Sequence, residues 1–182
     1  TGNLRLAHCK FIELPDGLQV GGDLILRGCK SLTKLPDNLK VGGNLDLSHC
    51  NPLELSANLQ VGGNLILEQC TSLRNLPDDL TVDGDLNLKG CTSLESLPDD
   101  LKVGGHLYLQ SCTSLTSLPN WITTLGRRTD GDIRHVYLER CGLSQAIIER
   151  LRAQASEGMQ FHFSMQASSN TNFFEDVTEA IE

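Results

Sequence analysis

The sequence predicts a solenoid of short, leucine-rich coils, and three recurring features lead to this fold class. All seven cysteines share one register, at positions 9, 29, 50, 70, 91, 112 and 141, mostly 20 or 21 residues apart. Leucines recur with the same period, and paired glycines recur at 21–22, 42–43, 62–63 and 104–105. A fixed period of about 20 residues indicates a repeat array, because one such unit cannot bury its apolar side chains without neighbours.

The strand is the best-defined element of each coil. The shared pattern is G-G-x-L-x-L-x-x-C-x-x-L-x-x-L-P-x-x-L-x-V, which is complete in residues 21–41. Its core, L-x-L-x-x-C-x-x-L, is the leucine-rich repeat signature, with cysteine where asparagine is the common alternative. Strand side chains alternate faces, so both leucines of L-x-L point inward and the residue between them points outward. The coils are therefore expected to form a parallel sheet on the concave face.

The return path of each coil is predicted to be extended or 3₁₀-like. Proline cannot donate to a sheet ladder, so the recurring L-P segment belongs on the convex side. Too few residues remain in a coil for a full α-helix. The paired glycines are expected to permit the tight corner into the next strand. Residues 42–61 deviate, with Ser56 after Leu55 and Pro52 earlier, and we interpret this as a local change in the convex loop.

Three segments are predicted along the chain. Leucine-rich repeats occupy 1–125 in about six coils, a C-terminal cap occupies 126–165, and 166–182 is a linker with the start of a following segment. Within the cap, V-Y-L-E-R-C at 136–141 restores the repeat register and predicts a seventh strand. The cap then continues as a small helix followed by a short strand.

The two closing elements are predicted from their apolar spacing. Ser144 is the candidate N-cap of the helix. The apolar face of that helix is expected to contain Ile147, Ile148, Leu151 and Ala155. The closing strand alternates, and its buried face is expected to contain Met159, Phe161, Phe163 and Met165.

Residues 166–182 leave two interpretations open. Phe173, Val177 and Ile181 stand at helical spacing, which indicates the first turn of another domain; the alternative is a disordered acidic tail. At the other end, the chain begins inside a repeat, where a bare solenoid end would expose its leucines. We therefore expect the chain to be a fragment of a longer protein.

Composition excludes several classes of function. The formal net charge of −8 argues against nucleic acid or anionic membranes as partners. The sequence contains no run of about 20 apolar residues, so no membrane span is predicted. No secretory signal peptide is recognisable. The chain has no nucleophile elbow, P-loop or dinucleotide fingerprint. We expect no cofactor and no enzymatic activity within these residues.

The cysteines are predicted to be structural. Metal sites need converging ligands at short spacing such as C-x-x-C, and disulfides need facing pairs, whereas these seven thiols stack in one column. We expect a ladder of buried thiols that pack as small apolar groups and form weak S–H hydrogen bonds to the loop backbone. Free thiols also suit a reducing compartment.

The outward strand positions are the candidate partner-binding surface, because they vary between repeats while the inward positions do not. Tyr108 and Tyr137 should be adjacent, beside His106 and His135, and exposed tyrosines are enriched in binding hot spots. The other predicted contact residues on the concave face are Ile25, Arg27, Ile66 and Glu68. Two alternatives stay open: neutral drift of solvated positions, and tyrosine rings that merely pack on the cap.

Three further charged or metal-binding groupings have competing interpretations. His106 and His135 could bind a metal, but a third ligand is not evident. The pairs at 78–79 and 99–100 are acidic; they could attract calcium, or they could satisfy turn N–H groups. Arg127, Arg128 and Arg134 are the basic cluster of a loop that either contacts an acidic partner or is mobile.

The closing segment carries a family likeness. The string LPNWITTL, a polar insertion, and then HVYLERCGLSQAIIERLRAQASEGMQFHFSM resemble the end of the leucine-rich domain in bacterial type III secreted effectors of the IpaH/SspH class. The matching positions are Val136, Leu138, Glu139, Leu143, Ser144 and Leu151. The likeness covers residues 2–165 and is most specific in the closing segment.

The resemblance implies a function that these residues do not carry alone. In that family the leucine-rich domain selects host protein substrates for an adjoining ubiquitin-ligase domain, whose nucleophile is the cysteine of a Cys-x-Asp motif. No Cys-x-Asp occurs here, so no catalytic residue is assigned and the chain itself is not expected to be an enzyme. The implied role is substrate recognition by an effector that a bacterium secretes into the host cytoplasm. The alternative is a stand-alone, cytoplasmic binding scaffold.

Overall fold

The computed structural model describes residues 2–10, 13–51, 53–128 and 130–164, which form a parallel β-solenoid of about seven turns. This confirms the predicted solenoid. The described residues contain one 3₁₀ helix, Asn120–Thr123, and one α-helix, α1, Gln145–Gln154. Their strands are β1 (Leu4–Arg5), β2 (Gln19–Val20), β3 (Leu24–Ile25), β4 (Lys40–Val41), β5 (Leu45–Asp46), β6 (Gln60–Val61), β7 (Leu65–Ile66), β8 (Thr81–Val82), β9 (Leu86–Asn87), β10 (Lys102–Val103), β11 (Leu107–Tyr108), β12 (Arg134–Tyr137) and β13 (Met159–His162).

The strands form two parallel sheets. The long sheet has eight strands in the order β1-β3-β5-β7-β9-β11-β12-β13, and the second sheet has five in the order β10-β8-β6-β4-β2. In the long sheet Leu4 pairs with Leu24 and Leu24 with Leu45, so the L-x-L segments stack in register as predicted. Every coil therefore repeats the same inward and outward positions.

The second sheet is a difference from the predicted return path. Extended backbone was expected there, but the two residues before each glycine corner also pair between coils. The valine of each pair points inward, as Val41 does at 2% exposure, while Lys40 beside it is exposed. Because the coils differ in length by at most one residue, the Gly42 N–H reaches the Val20 carbonyl at 2.8 Å, and later coils repeat this bond. Regular spacing thus converts an extended segment into a sheet.

The cysteine ladder is confirmed in its predicted form. All seven thiols are free, and five of them are buried. Six thiols each donate to a backbone carbonyl at 2.9–3.2 Å. The acceptor is the second leucine of the L-x-L segment in the preceding coil. The six donors are Cys29, Cys50, Cys70, Cys91, Cys112 and Cys141. Burial raises the pKa of the Cys112 thiol to about 12, so the thiol stays protonated and keeps its donor.

The glycine pairs are required by close approach between coils. An added Cβ on Gly63 would lie 2.6 Å from Asn44 Oδ1 and 2.8 Å from the carbonyl carbon of Gly43. Left-handed backbone occurs instead just before each cysteine, where φ lies between 58° and 76° at His8, Gly28, His49, Gln69, Gly90, Ser111 and Arg140. Glycine is required at these positions, as predicted. The reason is the close approach of the neighbouring coil's backbone and not the tight corner.

The closing elements largely follow the prediction. Val136 pairs with Leu107, which confirms the seventh strand, and β13 pairs with β12 beyond it. Within α1, the side chain of Leu151 is fully buried. Ala155 is exposed, because the helix ends at Gln154 and Ala155 has already left the helical conformation. Ser144 is the N-cap residue, although its hydroxyl makes no capping hydrogen bond.

Several predicted features lie outside the described residues. These are Pro52, Met165 of the closing strand, the linker over 166–182 and the helical spacing of Phe173, Val177 and Ile181.

Arg134 closes the solenoid from inside. It is 4% exposed, and its Nη1 donates to the carbonyls of Val103, at 2.7 Å, and Gly105. In the preceding coils the equivalent carbonyls accept backbone N–H groups of the next coil, as the Val82 carbonyl does from Gly104 at 2.9 Å. A guanidinium therefore replaces the donors that a further regular coil would supply. Neither interpretation of the basic cluster, partner contact or mobility, fits Arg134.

Candidate binding site on the long sheet

The first outward column, which we call the Asx column, is part of the scaffold. It comprises Asn3, Asp23, Asn44, Asn64 and Asp85. The side-chain Oδ1 of each member accepts the backbone N–H of the next position along the sheet, at 2.7–2.9 Å. Asparagine and aspartate alternate freely because both offer this oxygen. The variation in this column therefore reflects a shared hydrogen bond and not a tailored surface.

His106 continues the Asx column with a different side chain. Its Nδ1 accepts the His135 N–H at 3.0 Å, and its Nε2 lies 2.7 Å from Arg128 Nη1. A neutral imidazole has only one acceptor nitrogen, so no single tautomer satisfies both donors. Burial lowers the pKa of His106; Asp85 opposes this shift, and Arg128 adds to it. His106 thus joins the repeat scaffold to the polar insertion at 126–134.

Five rings form a continuous group at the C-terminal end of the long sheet, and we call this group the ring patch. Tyr108 stacks on Tyr137 with centroids 4.8 Å apart and planes 6° apart. Tyr137 in turn stacks on His162 at 4.4 Å. His106 and His135 flank this stack, and their centroids are 5.0 Å apart. The predicted adjacency of the two tyrosines and two histidines is confirmed, while their role in binding stays a prediction.

His162 is the member of the ring patch that sequence reasoning missed. Its Nε2 lies 3.0 Å from His135 Nδ1, and its position pairs with Tyr137. The alternation of MQFHFSM did signal that His162 faces away from Phe161 and Phe163. The sequence did not reveal which strand it pairs with, because a helix separates the two strands.

The other four predicted contact residues lie on the same outward face but away from the ring patch. Ile66 is two strands from Tyr108, about 10 Å along the sheet, and Ile25 is four strands away, about 19 Å. Glu68 pairs with Lys89 Nζ at 3.7 Å, and Arg27 is exposed near the N-terminal end. The structure brings together four of the eight predicted residues.

The third outward column lies two residues after the middle column, which contains Tyr108 and Tyr137, and it includes Glu68, Lys89, Gln110 and Glu139. It ends in two acceptors that have no donor among the described residues. Gln110 Oε1 and Glu139 Oε2 are buried atoms without a hydrogen-bond partner among the described residues. Gln110 follows Tyr108 by two positions and Glu139 follows Tyr137 by two, so both side chains border the ring patch. Unsatisfied buried acceptors are rare in folded proteins, so these two oxygens set this end of the column apart from the rest.

An open groove adjoins the patch along β13, the last strand of the long sheet among the described residues. It encloses about 510 Å³, and its lining includes Met159, Phe161, His162, Phe163 and Glu139. The guanidinium of Arg152 lies 5.1 Å from the centroid of the Phe163 ring. His162 belongs to both features, and Glu139, which borders the ring patch, also lines the groove, so the ring patch and the groove form one continuous surface.

The other two groupings from the sequence do not form cation sites in the part of the chain that the structure describes. No group of three or more His, Cys, Asp or Glu side chains there is arranged to hold a metal ion. In the acidic column, Asp79 accepts the Asn58 N–H at 2.8 Å, which agrees with the turn interpretation.

Comparison with known proteins adds no relative. No family model, no curated protein and no solved structure matches the chain. None of the described helices is long and apolar enough to cross a membrane. The fold and its surface thus define a β-solenoid with an aromatic and histidine-rich patch at one end of its long sheet.

Proposed function

We propose that this chain is a leucine-rich repeat domain that recognises a protein partner through the ring patch. The single observation that carries the proposal is the stack of Tyr108, Tyr137 and His162 on the outward face of a rigid sheet. Tyrosine supplies a large contact area at low entropic cost, and preorganised rings lose little freedom on binding. No enclosed pocket for a small molecule accompanies it among the described residues, since the groove beside it is open.

The resemblance of the closing segment to effectors of the IpaH/SspH class supports a finer proposal. The domain would select substrates for a ubiquitin ligase whose catalytic cysteine lies outside this chain. A bacterium would secrete such a protein into the host cytoplasm, and the partner would be a host protein. All seven cysteines here belong to the structural column, which agrees with a recognition role and not with ubiquitin transfer.

Site-directed photocrosslinking tests the binding surface. A photoreactive amino acid replaces Asn87, beside Tyr108 in the middle column, or Lys102, on the exposed side of the second sheet. Crosslinks to one protein from Asn87 but not from Lys102 are expected. That protein, once purified, should bind the Tyr108→Ala/Tyr137→Ala variant roughly 30-fold more weakly or worse, since hot-spot truncations cost about 2 kcal/mol or more.

The matched control is Gln60→Ala/Lys102→Ala, which removes two exposed side chains from the second sheet. It should bind like the unmodified protein. Equal binding by the tyrosine variant would show that the ring patch is not the site.

The ligase role has a separate test. The gene is expected to encode a Cys-x-Asp motif in a helical region beyond residue 182, and the full-length protein should transfer ubiquitin to the crosslinked partner. If neither is found, the stand-alone binding scaffold is the better description.

A further inference from the structure

We propose that the ring patch is built to receive a basic side chain, so that an arginine or lysine of the partner lies across Tyr108 and Tyr137 and brings its charge to Glu139 and Gln110. This inference rests on the proposed function and specifies the chemistry of the partner.

The first reason is the excess of acceptors at this end of the third column. Glu139 Oε2 and Gln110 Oε1 are enclosed, and neither has a donor among the described residues. The two side chains occupy neighbouring strands, about 4.8 Å apart along the sheet. Leaving such groups unpaired costs free energy. Both side chains are partly exposed, so a small outward rotation brings these oxygens to the surface, where an ammonium or guanidinium supplies three to five donors at once.

The second reason is the charge left without a counterion. Lys89 pairs with Glu68 at 3.7 Å, and Arg128 pairs with Asp130 at 3.0 Å. Glu139 has no ion pair among the described residues, and Arg152, which lines the same groove, lies over the Phe163 ring instead. With a net charge of −8 on the chain, charge complementarity favours a basic partner segment.

The third reason is the shape of the surface between these groups. Arginine and lysine cover apolar surface with their stems while their charged heads reach a polar site. The paired tyrosine rings offer that apolar surface directly beside Glu139.

A peptide selection tests this inference. Random linear peptides are selected on the unmodified protein and depleted on the Tyr108→Ala/Tyr137→Ala variant. The surviving peptides are expected to share an arginine or lysine. Replacing that arginine by citrulline, or that lysine by acetyl-lysine, should weaken binding roughly ten-fold or more, as measured by fluorescence anisotropy.

Variants of the protein locate the contact. Glu139→Gln should weaken the same peptide by a similar factor, and combining it with the neutral peptide should add little further loss. Glu95→Gln is the matched control, because that carboxylate is exposed on the return path and already pairs with Arg74 at 2.8 Å; it should bind unchanged. Thermal unfolding of each variant checks that the fold is intact.

The outcomes separate the two proposals. Patch-dependent peptides that share no basic residue, or that tolerate neutralisation and Glu139→Gln, would overturn this inference and leave the proposed function standing. A selection that yields no patch-dependent peptide would count against both.

Discussion

One repeat position is filled in two opposite ways in the regular coils and in the closing coil. In the regular coils the residue two places before the first strand leucine is glycine. Its N–H donates to the carbonyl of the equivalent glycine in the preceding coil, as from Gly63 to Gly43 at 2.9 Å. In the closing coil the same register position is Arg134, since Leu107 pairs with Val136. The first solution saves space between coils, and the second fills the space where no regular coil follows.

The difference shows that a solenoid end needs its own chemistry. A regular coil satisfies the carbonyls of its neighbour with backbone N–H groups at no cost in volume. The polar insertion at 126–134 removes those donors from the second sheet, so the carbonyls of Val103 and Gly105 would be buried without partners. One guanidinium satisfies both, and burial lowers the pKa of Arg134 without removing a charge that arginine retains at any ordinary pH.

The largest expected effect comes from breaking the closing coil. Arg134→Met keeps much of the volume but strips two buried carbonyls of their donor, at about 1–3 kcal/mol each. We expect a loss of several kcal/mol in the free energy of unfolding, measured by urea denaturation. Arg134→Lys should recover only part of it, because one ammonium lacks the guanidinium fork. A methionine variant as stable as the original would mean that the cap does not depend on these bonds.

A smaller effect is expected from the same position in a regular coil. Gly63→Ala places a Cβ within 3 Å of the Gly43 backbone, so the coils must separate locally. Overpacking of this kind costs about 1–3 kcal/mol. Thermal unfolding should show a lower midpoint, whereas Asp83→Ala, an exposed change in the neighbouring column, should change stability by about 0.5 kcal/mol or less. Equal midpoints for the two variants would contradict the close-approach explanation.

The smallest expected effect is a change of stability with pH. It distinguishes His106, which can take up a proton, from the asparagines that fill the same position in the Asx column. Its pKa is lowered in the folded protein by burial, with Asp85 opposing and Arg128 adding, so the unfolded chain binds the proton more readily. Stability should be complete above the unfolded value of about 6.5 and fall as pH drops below it. Urea unfolding at about pH 7.5 and about pH 5.5 measures this change.

His106→Asn is the informative variant for that measurement. Asparagine occupies the equivalent position at Asn44 and Asn64 and accepts the same backbone N–H. The ladder bond should survive while the contribution of His106 to the pH dependence disappears. An unchanged pH dependence would assign the effect to groups other than His106.

Much of the fold was predictable because the repeat reports its own register. The leucine pairs predicted the long sheet, and the cysteine spacing predicted a buried thiol ladder with S–H donors, as Cys91 shows toward the Leu67 carbonyl at 3.1 Å. The second sheet was not predicted, since two-residue strands such as Gln60–Val61 carry no alternation long enough to recognise. The left-handed residue before each cysteine was also missed, because only Gly28 and Gly90 mark it with glycine.

The candidate site was predictable only where the repeat continues. Tyr108 and Tyr137 fall in one column, so their adjacency follows from register alone. The contact of Arg128 with His106 depends on how an irregular insertion folds back, and local spacing does not encode that path. Gln110 and Glu139 lacked any signal, because whether an acceptor finds a donor depends on every neighbour around it.

The sequence by itself determined the coil, its inward leucines and the thiol column, because the same spacing of these residues recurs in every repeat. Only the tertiary structure decided how the array ends. There Arg134 turns inward to satisfy two carbonyls, His162 joins a stack that begins on Tyr108, and Glu139 Oε2 has no hydrogen-bond partner among the described residues. The physical reason is that in a repeat array the position of a residue in its repeat also identifies its neighbours in space. Where the repeats stop, the local sequence no longer identifies those neighbours.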